Sequence, residues 1–237
     1  MTLLTICQAV TDEIGIAKPT SVVGNTSDEN AVRMLALAQR SGKTLATRNW
    51  SVLQTEHTFQ TANGTSAYSF PADFARFLPQ TSWNRTDYRW LRGSVTAQEW
   101  QWRQSGIAQS RETDQVFMIR ADSGQRKFFI DPTPTAVETV AYEYIGNTWC
   151  QSASGTGQTA WAADDDVSRI DEYLIELDLK CRLLRSLGLD YGEEKYESER
   201  EIEKAFARDK PGELLDLVAA TKVTGVVNLP ETGYGGV

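Results

Sequence analysis

Hydrophobic residues recur every three to four positions near the start of the chain, which is the spacing of one face of a helix. The first run covers residues 3–14 and ends before Gly15 and Pro19, and the second begins after Ser27 or Asp28, either of which can cap a helix. Its apolar positions reach about Asn49. The two sets are Leu3, Ile6, Cys7, Val10 and Ile14, then Val32, Leu35, Leu37, Ala38, Leu45 and Ala46. We therefore predict two N-terminal helices.

The most regular apolar spacing follows three aspartates at residues 164–166. It predicts a helix from about residue 167 that ends near Leu187, before Gly188. A charged helix from Glu193 to about Arg208 comes next, followed by a short turn through Ala220. The charged helix offers Tyr196, Ile202, Ala205 and Phe206 for packing. The predicted core of the helical lobe consists of Val167, Ile170, Leu174, Leu177, Cys181 and Leu184.

Between residues 54 and 150 the pattern changes to short β-branched, aromatic or alternating runs that are separated by turn residues. Strands are predicted at 55–61, 66–70, 116–120, 127–131 and 139–144. Thr96 and Glu99 form a capping box for a short helix through about Gln104. The polar segment 151–160 is typical of a flexible loop or linker.

These elements predict an α+β fold with two lobes. Helices from residues 1–53 and 161–220 cannot bury their apolar faces alone, so we expect them to pack on each other in one bundle. A β-rich lobe at 54–150 is inserted between them, and the loop 151–160 leads back to the bundle. Residues 221–237 are predicted to form an extended arm, because glycines and Pro230 prevent a stable helix.

The composition excludes several classes of protein. The chain has 237 residues, of which 41% are hydrophobic and 24% charged, so it can bury a substantial core. Its three cysteines (Cys7, Cys150 and Cys181) are far apart and its only histidine is His57, which fits neither a disulfide framework nor a histidine-rich metal site. We expect an intracellular, reducing setting. The N-terminal residues lack the pattern of a signal peptide or a membrane span.

Three motifs suggest chemistry, and each has a simpler structural interpretation. Residues 41–44 (Ser-Gly-Lys-Thr) resemble part of a phosphate-binding loop, but Leu37 occupies the position where that loop needs its first glycine, so we favour a helix interior. The aspartates 164–166 could bind a cation, but we favour capping of the following helix. His57 could serve as a base, but we favour a cross-strand side chain. We predict no catalytic, cofactor or metal site.

A segment rich in arginine and tryptophan is the strongest candidate for function. Residues 76–111 contain six arginines and no lysine against Asp87 and Glu99, a net charge of +4, although the whole chain carries −8. Planar rings interleaved with cations are typical of interface hot spots and of single-strand nucleic-acid platforms. A third interpretation places the rings in the β-lobe core. The candidate subunit or tail interface comprises Trp83, Arg85, Arg89, Trp90, Arg92, Trp100 and Trp102.

Several segments together resemble the head-to-tail connector proteins of tailed bacteriophages, the adaptor, gateway or tail-tubular-A-like family. In order they are 11–15 (TDEIG), 34–40 (MLALAQR), 48–50 (RNW), 68–74 (YSFPADF), 79–86 (PQTSWNRT), 98–100 (QEW), 142–150 (YEYIGNTWC) and 188–191 (GLDY). These are packing and turn motifs rather than catalytic ones. The resemblance covers about residues 5–210.

The resemblance implies a structural virion protein, not an enzyme, that is assembled in the host cytoplasm and located in the phage neck. It implies a dodecameric ring under the portal protein that contacts a tail nozzle or tail tube protein, extends the channel for double-stranded DNA and provides a platform for the tail. No membrane is involved. The candidate portal-docking residues in the arm are Val223, Val226, Val227, Leu229, Pro230 and Tyr234.

Two alternatives remain open at this point. One is a nucleic-acid-binding module that uses segment 83–111, which a salt-dependent binding titration would identify. The other is an enzyme whose site lies in the β-lobe. The net charge of −8 argues against a binder of duplex DNA.

Overall fold

The computed structural model describes residues 1–105 and 114–209. The predicted turn through Ala220 and the predicted arm 221–237 lie outside the described residues. So does the part of the arginine-rich segment between 106 and 113.

The helices of the two described ranges are α1 (Leu3–Ile14), α2 (Glu29–Leu45), α3 (Ala97–Gln104), α4 (Glu172–Leu187) and α5 (Gly192–Asp209). The capping predictions for α2 and α3 are confirmed: Asp28 accepts a hydrogen bond from the N–H of Asn30, and Thr96 accepts one from the N–H of Glu99. Gly188 ends α4 with a left-handed backbone, φ 72°. Helix α4 contacts α1, α2 and α5, so the N- and C-terminal helices form one bundle as predicted.

Helix α2 is shorter than predicted, because it ends at Leu45 and not near Asn49. Trp50 folds back at this point, and its indole Nε1 donates a hydrogen bond to the carbonyl of Leu45 at 2.8 Å. Arg76, from the β-lobe, donates to the carbonyl of Arg48 at 2.5 Å. The end of the helix is therefore fixed by tertiary partners, which the local apolar pattern does not contain.

Helix α4 begins later than predicted. Its N-cap is Asp171, whose carboxylate accepts a hydrogen bond from the N–H of Tyr173 at 3.0 Å, so the aspartates 164–166 do not cap it. Val167 lies in a short strand before the helix. The prediction of the helix start was wrong because the periodic spacing continues through a segment that is extended.

The buried face of α4 also differs from the predicted one. Ile170, Leu174 and Leu184 are buried, but Leu177 and Cys181 are only half-buried. The buried residues of α4 are Leu174, Ile175, Leu179, Leu183 and Leu184. Leucines occur on two sides of this helix, and spacing alone selected the side that is less covered.

The strands of the described residues are β1 (Gln54–Gln60), β2 (Ala67–Ser69), β3 (Phe74–Phe77), β4 (Trp83–Asn84), β5 (Arg89–Trp90), β6 (Arg92–Gly93), β7 (Val116–Asp122), β8 (Gln125–Asp131), β9 (Thr139–Gly146), β10 (Cys150–Gln151), β11 (Gly157–Gln158) and β12 (Val167–Ser168). The five predicted strands correspond to β1, β2, β7, β8 and β9. Sequence patterns missed β3 to β6 and β10 to β12, because all of these except β3 have only two residues and cannot show alternation.

Two sheets form the β-lobe. In the first, β9 is central: it pairs with β1 on one side and with β3 and β4 on the other, and β5 pairs with β4. The second has the order β2-β8-β7-β6. Aromatic side chains fill the core that the sheets share: Phe128 stacks on Phe117 (4.5 Å between ring centroids) and on Tyr142 (5.4 Å).

The polar segment 151–160, predicted to be a flexible loop or linker, forms part of a third sheet. Strand β10 pairs with both β11 and β12 in antiparallel register. Trp149 packs edge-on against Trp161 at 5.0 Å, and its Nε1 donates to the carbonyl of Thr159 at 2.9 Å. The glycines and serines of this segment do form turns, but the turns connect the strands of a small sheet that packs on the bundle core.

The lobes meet at residues 46–53, which we call the joint. Arg76 of the β-lobe donates hydrogen bonds to carbonyls within the joint, at 2.5 Å and 3.1 Å. Arg169 donates to another of its carbonyls at 2.8 Å. Asp209, at the end of α5, accepts hydrogen bonds from the N–H and hydroxyl of Ser51, at 2.6 Å and 2.5 Å. Both lobes are thus tied to the same short segment.

Candidate assembly surfaces

Part of the arginine- and tryptophan-rich segment belongs to the core. Trp100 of α3 is buried in a cluster with Val95, Val116 and Phe129. The prediction that it is an interface residue is therefore wrong for the isolated chain, and the alternative of a core position holds for this ring. The apolar side of α3 seats Trp100 against the second sheet.

Other rings of the same segment face solvent. Trp83 is 41% exposed, Trp90 44% and Tyr88 84%. Trp83 pairs directly with Trp90 across β4 and β5, so both side chains lie on the same face of the sheet. Trp102 of α3 is also exposed, at 56%. We call residues 83–90 the aromatic hairpin.

Asn84, which is fully buried, anchors the aromatic hairpin through hydrogen bonds. The side-chain oxygen of Asn84 accepts hydrogen bonds from the N–H groups of Thr86 (3.0 Å) and Asp87 (3.1 Å). Its amide nitrogen donates to Glu138 at 2.7 Å. The turn is thus fixed by a buried polar anchor, and this fixes the directions of the flanking rings.

Tyr88 has a left-handed backbone with φ 54°, which is unfavourable for a bulky residue. The ring has no aromatic partner among the described residues. Conformations of this kind cost about 1–3 kcal/mol and persist where the surrounding structure imposes them, often at binding sites. The hairpin therefore presents Tyr88 outward despite a local energetic cost.

Carboxylates neutralise three of the four arginines in residues 83–105. Arg85 pairs with Glu56 at 2.7 Å, Arg92 pairs with Glu99, and Arg103 is buried beside Asp131 at 3.5 Å. Within the described part of the chain, the side chain of Arg89 has no hydrogen-bond or ion-pair partner. The positive charge available to a partner is thus much smaller than the composition indicated.

The acidic helix α5 carries a second exposed feature that the sequence pattern did not reveal. Tyr196, expected to pack, is 68% exposed. Tyr196 and Glu197 lie three and four residues after Glu193, so all three share one side of the helix. Neither glutamate forms a salt bridge to a described residue, whereas three glutamates further along α5 do. The sequence alone does not show which glutamates form salt bridges; the fold does. We call Glu193, Tyr196 and Glu197 the acidic face of α5.

The phosphate-loop resemblance at residues 41–44 has a structural explanation. These residues lie inside α2, as interpreted from the sequence, and Lys43 is exposed. A Cβ atom at Gly42 would overlap the indole ring of Trp149. Glycine is required here so that α2 can approach that ring closely, which is a packing role.

Asp164 and Asp166 accept hydrogen bonds from loop residues, and the prediction that the aspartates 164–166 cap a helix was wrong. The carboxylate of Asp164 accepts hydrogen bonds from the hydroxyl of Ser21 and from the N–H groups of Val22 and Val23, at 2.7–2.9 Å. Burial alone would raise the pKa of Asp164, but these hydrogen bonds outweigh it and hold the pKa below its usual value. Asp166, which is buried, accepts from the backbone N–H of two nearby residues.

His57 is a cross-strand residue of β1, as interpreted from the sequence. It lies opposite Tyr142 of β9, with 5.3 Å between the ring centroids. Burial lowers the pKa of His57, and the nearby charge of Asp73 opposes this shift.

Burial, aided by Asp164, raises the pKa of the Cys7 thiol to about 12, and burial also raises that of Cys150 to about 12. These thiols stay protonated and are poor nucleophiles at neutral pH.

Residues 1–105 and 114–209 were compared with two simple patterns, a cluster of metal ligands and a helix that spans a membrane. These ranges contain no group of three or more histidine, cysteine or acidic side chains arranged to hold a metal ion. None of their helices is both long and apolar enough to span a membrane.

Exposed aromatic rings on a well-packed core are typical of a structural protein that contacts other proteins. Comparison with known families agrees with this class. The family described as SU10 adaptor protein matches residues 1–224, and the chain therefore belongs to that family of phage head-to-tail adaptors. The family is structural and not enzymatic, and its role implies contacts with other virion proteins and a place in the virion. No curated protein matches the chain.

Proposed function

We propose that the protein forms a closed ring that docks under the portal protein, continues the DNA channel and provides the platform for the tail. Membership of the adaptor family supports the general role, and the resemblance to connector proteins supports a dodecamer. The observation that carries the ring is the aromatic hairpin, whose exposed rings are rigidly held and uncovered in a single copy.

The charge distribution supports a channel through the ring. Residues 160–216 contain nine basic and seventeen acidic residues, a net charge of −8. A wall of the same sign as the phosphate backbone keeps DNA from binding as it passes. The contact with packaged double-stranded DNA is therefore transient in this proposal.

For the contact with the portal protein we propose residues 221–237. Their apolar side chains are numerous for a purely solvating tail, and an extended segment can add main-chain hydrogen bonds to a partner. Several copies around a ring offset the cost of ordering each segment through effective concentration. Deletion from Thr221 onward is expected to leave the melting temperature of the subunit nearly unchanged and to abolish co-sedimentation with portal-containing capsids. Equal binding of the truncated and intact chains would contradict this docking role.

The experiment that tests the ring is mass photometry with negative-stain imaging of the purified chain, alone and with portal rings. We expect complexes of one portal ring with a ring of adaptor copies. Portal rings that stay bare at saturating adaptor concentration would contradict the proposal.

The alternative of a nucleic-acid-binding module receives less support. Three of the four arginines in 83–105 are paired with carboxylates. Filter binding with single-stranded DNA across a salt range distinguishes this alternative, because a true binder loses affinity steeply as salt rises. We expect weak retention without a steep slope.

A further inference from the structure

We propose that the aromatic hairpin of one copy binds the acidic face of α5 on a second copy of this chain. This inference rests on the proposed ring and identifies the two surfaces that meet in it. A ring of identical copies needs a head-to-tail interface, in which two different patches of the same chain are complementary. The hairpin belongs to the β-lobe and α5 to the helical bundle, so one copy can offer both patches at once.

Charge is the first argument for this pairing. Arg89 lies exposed on β5 with no partner among the described residues, while Glu193 and Glu197 lie on α5 without a salt bridge in the same set. Glu193 is in the first turn, where the helix dipole alone favours a carboxylate, but Glu197 is one turn further on. Glu197 acts on Lys180 without a salt bridge, and Lys180 is paired with Glu13. A cation on one patch and carboxylates on the other are complementary, and a contact between them favours this orientation over like-charged ones.

The aromatic rings are the second argument. Trp83, Tyr88 and Trp90 are exposed on the hairpin, and Tyr196 is 68% exposed on the same side of α5 as the two glutamates. Tryptophan, tyrosine and arginine are the residue types that dominate binding energy at protein interfaces. Beside the hairpin, Trp83, Asn84, Arg85 and Tyr88 line a surface concavity of about 460 Å³, which can receive a tyrosine side chain.

Rigidity is the third argument. The hairpin turn is anchored by the buried Asn84, and Tyr196 projects from a regular helix. Neither patch has to be ordered when the copies meet, which lowers the entropic cost of association. Nucleic acid is a weaker candidate for the same patch, because one unpaired arginine provides little attraction for phosphates.

A charge-reversal cycle tests the contact. Arg89→Glu and Glu197→Arg are each expected to weaken self-association about tenfold or more in analytical ultracentrifugation, and the combination in one chain is expected to restore it to within about threefold. Arg126→Glu is the matched control, because Arg126 is also exposed in a β-hairpin without a described partner, and it should change nothing. Melting temperatures of all variants verify that they fold. Unchanged association in either single variant, or no recovery in the combination, would overturn the proposal.

Photo-crosslinking tests this contact independently of the proposed ring. With p-benzoylphenylalanine in place of Tyr88, we expect intermolecular crosslinks to peptides of α5, and with the same group in place of the exposed Val137 we expect none there. Crosslinks from position 88 to α5 without any ring on the portal would refute the ring and keep the contact. If rings form on the portal but position 88 crosslinks only to another protein or to DNA, the ring is retained and the contact is refuted.

Discussion

The core of the helical lobe is built mainly from aliphatic side chains with three tryptophans, whereas the core of the β-lobe is built from stacked phenylalanine and tyrosine rings. Aliphatic side chains pack in many arrangements, so a helix can bury either of two leucine-bearing sides. Rings prefer a few geometries, and strand alternation fixes which of them point inward. The helical lobe therefore takes its register from distant partners, whereas the longer strands of the β-lobe follow local alternation.

Removing a central ring should have the largest effect. Phe128→Ala is expected to lower the free energy of unfolding by about 3–5 kcal/mol, because the ring is buried and stacks on Phe117 and Tyr142. Urea unfolding followed by fluorescence measures this loss. Val137→Ala, at an exposed position, is the control and should stay within about 0.5 kcal/mol of the parent. A loss below about 1 kcal/mol for Phe128→Ala would show that the stack is dispensable.

Two leucines of α4 test which side of the helix is the core. Leu179→Ala is expected to cost about 2–5 kcal/mol, since Leu179 is fully buried in the bundle. Leu177→Ala, two residues earlier and half-buried, should cost less than half as much. Thermal unfolding of the matched pair decides the register. A reversed order would restore the register predicted from spacing.

Gly42 tests whether close packing limits α2. Gly42→Ala is expected to destabilise the protein by about 1–3 kcal/mol, because the new methyl group overlaps Trp149, although alanine is by itself the better helix former by about 1 kcal/mol. Lys43→Ala, next to it and exposed, should change stability by no more than about 0.5 kcal/mol and leave phage assembly intact. Phosphate release that depends on Lys43 would contradict the packing role of this motif.

The smallest effect is expected at Asp164 and depends on pH. Asp164→Ala removes hydrogen bonds to residues 21–23 and should cost about 1 kcal/mol at neutral pH. The pKa of this carboxyl is lowered in the folded state from the usual 3.8, so its contribution is present above pH 3.8 and is lost as the pH falls through the folded-state pKa. Melting curves of both proteins should therefore converge in acid. A difference that stays constant as the pH falls well below 3.8 would assign the effect to packing alone.

Sequence patterns predicted much of the architecture and little of the surface. Amphipathic spacing identified α1 and α5 nearly to the residue, and strand alternation identified β7 to β9. The pattern failed where a tertiary partner decides the outcome, as at the end of α2, where Trp50 and Arg76 take its carbonyls. The same limit applies to function. The sequence shows that the segment 83–105 is unusually rich in arginine and tryptophan, but not which of these side chains are exposed. Only the fold shows that Trp100 is buried and that Arg89 is unpaired among the described residues.

The joint of residues 46–53 has a mechanical consequence. Arg76 and Arg169 donate hydrogen bonds to it, and Asp209 accepts hydrogen bonds from it, so bending between the lobes requires several of these bonds to break together. We therefore expect the two lobes to move together as one body when a force acts on either of them.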